Sequence, residues 1–210
     1  MILERHAVGP LQANAYLLIE AGRAVVVDPG GDAARLLDAL ARHEAELTAV
    51  WLTHAHFDHV GGLAELLAAR PVPVYLHPND LPLLATAAAQ AAAWGLAVTP
   101  PPTATLPLEG GMELAGDGPG PSARCLFTPG HAPGHIAFYL EREGAVLSGD
   151  ALFRGSIGRT DLPFGDAEQL LRSIRESLLT LPDDTRVLPG HGPETTVGLE
   201  RATNPFLAGA

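Results

Sequence analysis

The sequence is poor in the residues that several protein classes require. Its one cysteine, Cys125, cannot form an internal disulfide, and its apolar neighbours indicate a small core residue. Lysine and arginine number 13 against 24 aspartates and glutamates, so the formal net charge is −11. This balance leaves no basic patch to neutralise phosphates and argues against a nucleic-acid partner. Because only 5% of the residues are aromatic, Leu, Val and Ala must fill most of the core.

Long apolar runs are also missing. No stretch approaches the roughly 20 apolar residues of a membrane helix, so no membrane partner is expected. The N-terminus shows no basic segment followed by an apolar one, so we expect no signal peptide and predict a cytoplasmic location. The hydrophobic and charged fractions, 47% and 18%, are those of a folded globular protein, and 210 residues suit a single domain, 1–210.

Short apolar segments alternate with helical patterns along the chain. A hairpin is predicted at residues 13–19 and 24–27. Helices are predicted where leucine or alanine recurs at helical spacing, at residues 32–43, 58–69, 79–94 and 166–181. Further strands are predicted at residues 48–52, 72–76, 112–114, 123–128, 135–140, 145–147 and 186–188. Residues 99–102 and 116–121, rich in Pro and Gly, are predicted linkers or surface turns. Hairpins combined with strand–helix alternation indicate two mixed sheets with helices outside.

Residues 53–59, T-H-A-H-F-D-H, directly follow a predicted buried strand. With 9 histidines in 210 residues, an H-x-H-x-D-H pattern would arise by chance in about one such sequence in a thousand. Alternate residues of an extended segment point the same way, so His54 and His56 can converge on one ion. Asp58 and His59, at the start of the next helix, face a neighbouring position. Imidazole and carboxylate suit Zn, Fe or Mn, so this stretch predicts a metal site.

Three later turns supply further candidate ligands. Each ends an apolar run and places a glycine directly before the ligand: P-G-H at His131, S-G-D at Asp150 and P-G-H at His191. Glycine lets the backbone approach closely at such a point. Ligands at several strand ends are what a site on one edge of a layered fold requires.

Together these motifs resemble the metallo-β-lactamase superfamily, over nearly the whole chain from V-D-P-G at 27–30 to His191. G-D-A-L-F at 149–153, G-R-T-D at 158–161 and E-R-A-T-N-P-F-L at 200–207 are similar to its glyoxalase II-like branch, related to hydroxyacylglutathione hydrolases, and to the short bacterial members of that branch. The resemblance implies an α/β fold, an αββα sandwich of two mixed β-sheets flanked by helices.

The same resemblance implies a centre of two divalent metal ions, with zinc as first choice and iron or manganese as alternatives. His54, His56 and His131 would hold the first ion. Asp58, His59 and His191 would hold the second, with Asp150 bridging both. Asp58 would also orient the hydroxide that the ions generate, and a small-molecule thioester is the expected partner.

Three functions follow from these implications. The first is hydrolysis of a thioester such as S-lactoylglutathione. Full-length glyoxalase II carries a C-terminal helical domain that helps to bind glutathione. Only 19 residues follow His191, so we expect that domain to be absent. The thioester is then expected to be smaller, or glutathione to bind weakly. The second is a persulfide dioxygenase, because G-D-A-L at 149–152 and G-R-T-D at 158–161 also resemble that branch of the superfamily. That resemblance implies one non-haem iron on His54, His131 and Asp150. The third, a metal-stabilised binding module, leaves seven convergent ligands unexplained.

Residues beside the predicted ligands allow structural or functional interpretations. Asp28 is either an ordinary turn residue or a support for the T-H-A-H-F-D-H segment at residues 53–59. His135 is predicted to be a packed or supporting residue and not a ligand, and His77 to serve a turn. Arg159 and Asp161 favour a surface ion pair. The alternative is an anion site for a substrate carboxylate, which makes Arg159 the candidate substrate-binding residue.

Overall fold

The N-terminal half of the chain forms a mixed sheet of six strands. In chain order they are β1 (Ile2–Val8), β2 (Ala13–Glu20), β3 (Arg23–Val27), β4 (Glu46–Trp51), β5 (Val74–Leu76) and β6 (Leu106–Pro107). They lie side by side in this same order, antiparallel from β1 to β3 and parallel from β3 to β6. The predicted hairpin is therefore confirmed as β2 and β3. The edge strand β1 was not predicted, because charged residues interrupt its apolar pattern.

Helices connect the parallel strands of this sheet. They are α1 (Ala33–Arg42), α2 (Phe57–Val60), α3 (Leu63–Ala69) and α4 (Leu81–Ala93), with a 3₁₀ turn at Pro78–Asp80 before α4. Such crossovers bring each strand back in the same direction. The loops that follow β3, β4 and β5 therefore open at one edge of the sheet.

The prediction of one continuous helix at residues 58–69 is wrong, because the segment is split between α2 and α3. Gly61 and Gly62 lie at the break, where the backbone passes very close to the loop after β3. A Cβ atom on Gly61 would lie 2.6 Å from the Gly30 carbonyl oxygen, and one on Gly62 would lie 2.9 Å from that of Pro29. Only glycine allows this approach.

The C-terminal half forms a second mixed sheet. The strands of this half are β7 (Glu113–Ala115), β8 (Ser122–Phe127), β9 (Ile136–Leu140), β10 (Ala145–Gly149), β11 (Leu152–Phe153), β12 (Ser156–Ile157), β13 (Arg186–Pro189) and β14 (Thr195–Thr196). Its α-helices are α5 (Ala167–Ser173) and α6 (Val197–Thr203). The strand order is β14-β13-β10-β9-β8-β7, and β11 and β12 form a separate hairpin. Because β10 and β13 are parallel, their carboxyl ends meet at one edge of the sheet.

One face of this second sheet is covered by the helix predicted at residues 166–181. The structure has it as α5, continued by a π-helical segment at Ile174–Leu178. Leu170 and Ile174 are fully buried in a core that includes Val146 of β10 and Val187 of β13. This packing fixes the two strands that carry the later predicted ligands.

The structure, a computed structural model, describes residues 1–115 and 119–208. The chain divides into two compact units, Met1–Pro107 with Ala115–Ser122 and Leu108–Leu114 with Ala123–Ala210. Of the predicted turn at 116–121, residues 116–118 lie outside the described residues. Within the described ranges, every helix is too short or too polar to cross a membrane. The prediction of two mixed sheets flanked by helices is confirmed.

Candidate metal centre

Four of the predicted ligands lie in residues 53–59, called here the histidine loop, which follows β4 and includes the start of α2. His54 and His59 are fully buried, His56 is nearly so, and the Asp58 side chain is 14% exposed. The His54 ring lies 4.9 Å from the His56 ring and 4.2 Å from the His59 ring, measured between centroids. His59 Nε2 is 3.8 Å from a carboxylate oxygen of Asp58. The first unit therefore brings these four side chains together.

Asp28, at the end of β3, holds the histidine loop from one side. Its buried carboxylate accepts hydrogen bonds from the Thr53 backbone N–H at 2.8 Å, the Thr53 hydroxyl at 2.6 Å and His59 Nδ1 at 3.0 Å. Its φ of +51° also places it at a sharp turn. Of the two interpretations left open for Asp28, the structure favours support of the loop. The part played by Thr53 was not predicted.

These hydrogen bonds determine which ring nitrogen carries the hydrogen in the neutral form of His54 and of His59. A carboxylate only accepts, so His59 donates from Nδ1 and its Nε2 keeps a lone pair. Thr53 gives its one hydroxyl hydrogen to Asp28, so the Thr53 oxygen accepts from His54 Nδ1 at 2.9 Å. His54 therefore also has its lone pair on Nε2. An imidazole held through one nitrogen, with a lone pair on the other, is the form that binds a metal.

A second buried carboxylate, Asp80, holds the middle of the histidine loop. It is fully buried and accepts a hydrogen bond from the Ala55 backbone N–H at 3.0 Å. Asp80 lies in the 3₁₀ turn after β5, where the His77 ring accepts from the Asn79 N–H. The turn role predicted for His77 is confirmed. Asp80 was missed; the available signal was an acidic residue just beyond a strand adjacent to β4.

In the second unit, His131 lies in the loop between β8 and β9. It is 2% exposed, and its Nδ1 is 2.8 Å from the Arg159 backbone carbonyl oxygen. A carbonyl only accepts, so His131 carries its hydrogen on Nδ1 and, like His54 and His59, presents a lone pair on Nε2. The preceding Gly130 has a φ of +129°, and a Cβ atom there would lie 2.3 Å from the Leu170 nitrogen. The loop thus requires glycine to pack against α5.

Asp150, just after β10, lies between two histidines of the same unit. One carboxylate oxygen is 3.6 Å from His131 Nε2 and 3.7 Å from His191 Nε2. These distances are long for hydrogen bonds. Two ligands at 2.0–2.2 Å from one tetrahedral ion lie about 3.4 Å apart, so the spacing suits a shared cation better. The donor set, imidazole with carboxylate, also fits a divalent metal.

His135 supports Asp150 and is not placed as a ligand. Its buried Nε2 accepts a hydrogen bond from the Asp150 backbone N–H at 3.1 Å, and its Nδ1 is 2.8 Å from the Thr128 hydroxyl oxygen. Its Nε2 lone pair is therefore already used by the protein. The predicted packed or supporting role is confirmed.

Arg159 and Asp161 form an ion pair at the surface. Two guanidinium nitrogens donate to the two carboxylate oxygens of Asp161 at 2.8 and 2.7 Å, and both side chains are exposed. The hydrogen bond from Arg159 lowers the pKa of Asp161 to about 2, and the same bond raises the pKa of Arg159. Exposed pairs of this kind contribute little stability. The preferred interpretation, a surface ion pair, matches this geometry; substrate binding by Arg159 stays a prediction.

Comparison with known proteins gives the class of this protein. The family model of the metallo-β-lactamase superfamily matches residues 8–191. The probable metallo-hydrolase YqgX of Bacillus subtilis is 47% identical, over 98% of this chain and 97% of YqgX. The hydroxyacylglutathione hydrolase GloC of Haemophilus influenzae is 38% identical, over 99% of this chain and 98% of GloC. The crystal structure of TTHA1623 in a di-iron-bound form is 50% identical with a TM-score of 0.91, covering 97% of this chain and all of that one.

The chain therefore belongs to the metallo-β-lactamase superfamily and has its fold, as the sequence resemblance implied. Within that superfamily it is a metal-dependent hydrolase, with histidine and aspartate clusters of the kind that bind divalent metals.

Proposed function

We propose that this protein is a thioester hydrolase of the glyoxalase II type, acting on S-lactoylglutathione or a related thioester. The observation that carries the proposal is the hydrogen bonding of three buried histidines through Nδ1. His54, His59 and His131 are each held through Nδ1 by an acceptor, so each offers an Nε2 lone pair to a metal. The similarity to GloC along almost its full length supports the thioester class of substrate.

Seven side chains are the proposed ligands of two divalent metal ions. They are His54, His56, Asp58, His59, His131, Asp150 and His191. The di-iron form of TTHA1623 supports a two-ion centre, and the donor set accepts zinc, iron or manganese, with zinc our first choice. Divalent ions bound there would lower the pKa of water from 15.7 toward about 7 and polarise the thioester carbonyl.

Solvent access differs among the proposed ligands. The His191 side chain is 30% exposed and those of Asp58 and Asp150 are 14% and 10% exposed, whereas the side chains of His59 and His131 are at most 3% exposed. The Asp58 carboxylate is therefore within reach of water. We assign to the Asp58 carboxylate the orientation of the attacking water, because it can accept a hydrogen from water and aim the oxygen lone pair at the thioester carbonyl.

A cysteine nucleophile is excluded by the position of Cys125, the only cysteine in the sequence. Its side chain is fully buried in β8, and burial raises the pKa of the thiol to about 12. The thiol is therefore protonated at neutral pH, whereas the nucleophile in thiol catalysis is the thiolate. Water activation is the mechanism that these residues support.

Metal analysis of the purified protein, combined with two activity assays, tests the proposal. The assays are hydrolysis of S-lactoylglutathione and oxygen uptake with glutathione persulfide. Two metals per chain with thioester turnover supports the hydrolase. One iron with oxygen uptake replaces it with the persulfide dioxygenase, and bound metal with neither activity leaves a metal-stabilised binding module.

Two substitutions test the assigned roles in the same assay. H56A and D58A should abolish thioester hydrolysis while the fold is retained. H43A is the matched control, because His43 lies at the end of α1 and hydrogen-bonds Glu4, away from the histidine loop. Near-normal turnover in H56A or D58A would refute the assignment.

A further inference from the structure

The C-terminal segment E-R-A-T-N-P contains two buried polar side chains that the proposed ligand set does not use. Glu200 in α6 and Asn204 just after it are each 1% exposed. The Glu200 carboxylate accepts three hydrogen bonds, from the Gly155 backbone N–H at 2.8 Å, the Thr195 hydroxyl at 2.6 Å and the Asn204 amide at 2.8 Å. Of these partners only Gly155 is distant in sequence, 45 residues away, so its bond to Glu200 ties this segment to another part of the chain.

The attachment point is the short hairpin of β11 and β12. Glu200 binds the backbone N–H of Gly155, in the turn of the hairpin, and Asn204 donates from its side chain to the Ser156 carbonyl at 3.0 Å. Each strand of the hairpin has only two residues. Two-stranded hairpins are at best marginally stable alone, so this one depends on outside contacts for a fixed position.

Both ends of the hairpin lead directly to proposed ligands. The hairpin begins two residues after Asp150. Gly158, the residue that follows β12, packs against the Asp150 backbone: a Cβ atom on Gly158 would lie 1.9 Å from the Asp150 carbonyl oxygen and 3.2 Å from His131 Cβ. The next residue, Arg159, supplies the carbonyl that accepts from His131 Nδ1. A displaced hairpin would therefore move the acceptor that orients His131.

We propose that Glu200 and Asn204 are positioning residues for His131 and Asp150, acting through the β11–β12 hairpin. The inference rests on the proposed function, in which His131 and Asp150 are metal ligands. Leu152 of β11 stays buried in the core, so loss of either anchor loosens the turn and β12, which shifts the Arg159 carbonyl and weakens the hold on the His131 ring. Loss of a supporting partner of a metal ligand typically weakens metal affinity or activity about 10–100-fold.

The test uses the full chain with its metal removed, titrated with Zn²⁺ against a competing chelator. E200A and N204A should bind Zn²⁺ about tenfold more weakly than the wild type, the lower end of the range for a direct partner, because they act through the hairpin. In the metal-loaded proteins, kcat for S-lactoylglutathione should fall while KM stays close to the wild-type value. E200Q should keep most of the affinity, because its amide oxygen can accept from Gly155 while the Thr195 hydroxyl turns to accept from the amide N–H.

T195V is the matched control. It removes a buried hydrogen bond to the same Glu200 carboxylate but leaves both bonds to the hairpin, so it should lower Tm without changing Zn²⁺ affinity. If T195V weakens Zn²⁺ binding as much as E200A does, the effect is a general loss of stability and the inference is wrong. N204A carries the test should E200A fail to fold, because it leaves Glu200 bonded to Gly155.

H131A, measured in parallel, separates this inference from the proposed function. Wild-type Zn²⁺ affinity in E200A and N204A, with reduced affinity in H131A, overturns the positioning role and leaves the proposed ligand set intact. Wild-type affinity in H131A overturns the ligand set itself.

Discussion

Replacing Asp28 by asparagine should move the ring hydrogen of His54 and of His59 from Nδ1 to Nε2 while leaving the shape of the site unchanged. In the wild type, one Asp28 oxygen accepts from the Thr53 N–H and the other accepts from both the Thr53 hydroxyl and His59 Nδ1. Asparagine keeps an oxygen for the Thr53 N–H but puts an NH₂ group in place of the second oxygen. That group donates to His59 Nδ1 and to the Thr53 oxygen, and the freed Thr53 hydroxyl donates to His54 Nδ1. Both rings then carry their hydrogen on Nε2.

The size of the effect follows from the number of ligands affected. A supporting partner of a metal ligand is typically worth 10–100-fold in metal affinity. With two histidines switched, we expect Zn²⁺ to bind about 100-fold more weakly, or about 2.8 kcal/mol. The free energy of unfolding of the metal-free protein should change far less, because the hydrogen bonds are reversed and not lost. Asparagine also tolerates the φ of +51° at this position.

Two measurements on D28N check this reasoning. Competition with a chelator gives the Zn²⁺ affinity, and the ¹⁵N chemical shifts of the histidine rings report which nitrogen carries the hydrogen. D32N is the matched control, because Asp32 has a similar φ of +49° and accepts a backbone hydrogen bond but is exposed. Wild-type Zn²⁺ affinity in D28N, with the ring hydrogens moved to Nε2, would refute the argument.

Three further predictions concern residues around the site. D80A removes the acceptor for the Ala55 N–H, so it should lower the free energy of unfolding, measured in urea, by about 1–3 kcal/mol. D80N keeps an acceptor and should lower it less. Equal losses of unfolding free energy in the two variants would contradict this. Burial raises the pKa of the Cys125 thiol to about 12 from an ordinary 9.0, so the thiol should resist a disulfide reagent at pH 8 until the protein unfolds. The contribution of the thiol to folding stability should be present below about pH 9 and lost as pH rises toward 12. Rapid reaction of the native protein with the reagent would contradict this. If the Arg159 guanidinium binds a substrate carboxylate, R159A should raise KM for S-lactoylglutathione about tenfold with kcat unchanged. D161N, which frees that guanidinium, should lower KM. An unchanged KM in both variants would limit the pair to a surface role.

The candidate ligands could be found in the sequence because each lies beside a local signal. The histidine loop directly follows β4, and Asp150 and His191 directly follow β10 and β13, all of which are short apolar runs. Glycine before each of the three later ligands predicts a close backbone approach, and at Gly130 the structure confirms it in the packing against α5. Such signals need only a few neighbouring residues.

Apart from Asp28 and His135, the residues that hold the ligands gave no comparable signal. Asp80 and Thr53 are ordinary turn and loop residues in the sequence, and their roles depend on β5 and β3 lying on either side of β4. Glu200 lies 45 residues from the backbone group it binds. The split between α2 and α3 likewise depends on contact with the loop after β3. Partners distant in sequence decide each of these features, so a local pattern cannot predict them.

Measuring bound metal and thioester hydrolysis in the same titration tests the central claim most directly. Metal-free protein is titrated with Zn²⁺, and the rate of S-lactoylglutathione hydrolysis is recorded at each ratio of metal to protein. We predict that hydrolysis appears on metal binding and reaches its maximum at two ions per chain. Tight binding of two ions with no hydrolysis of S-lactoylglutathione or a related thioester at any ratio would contradict the proposed function.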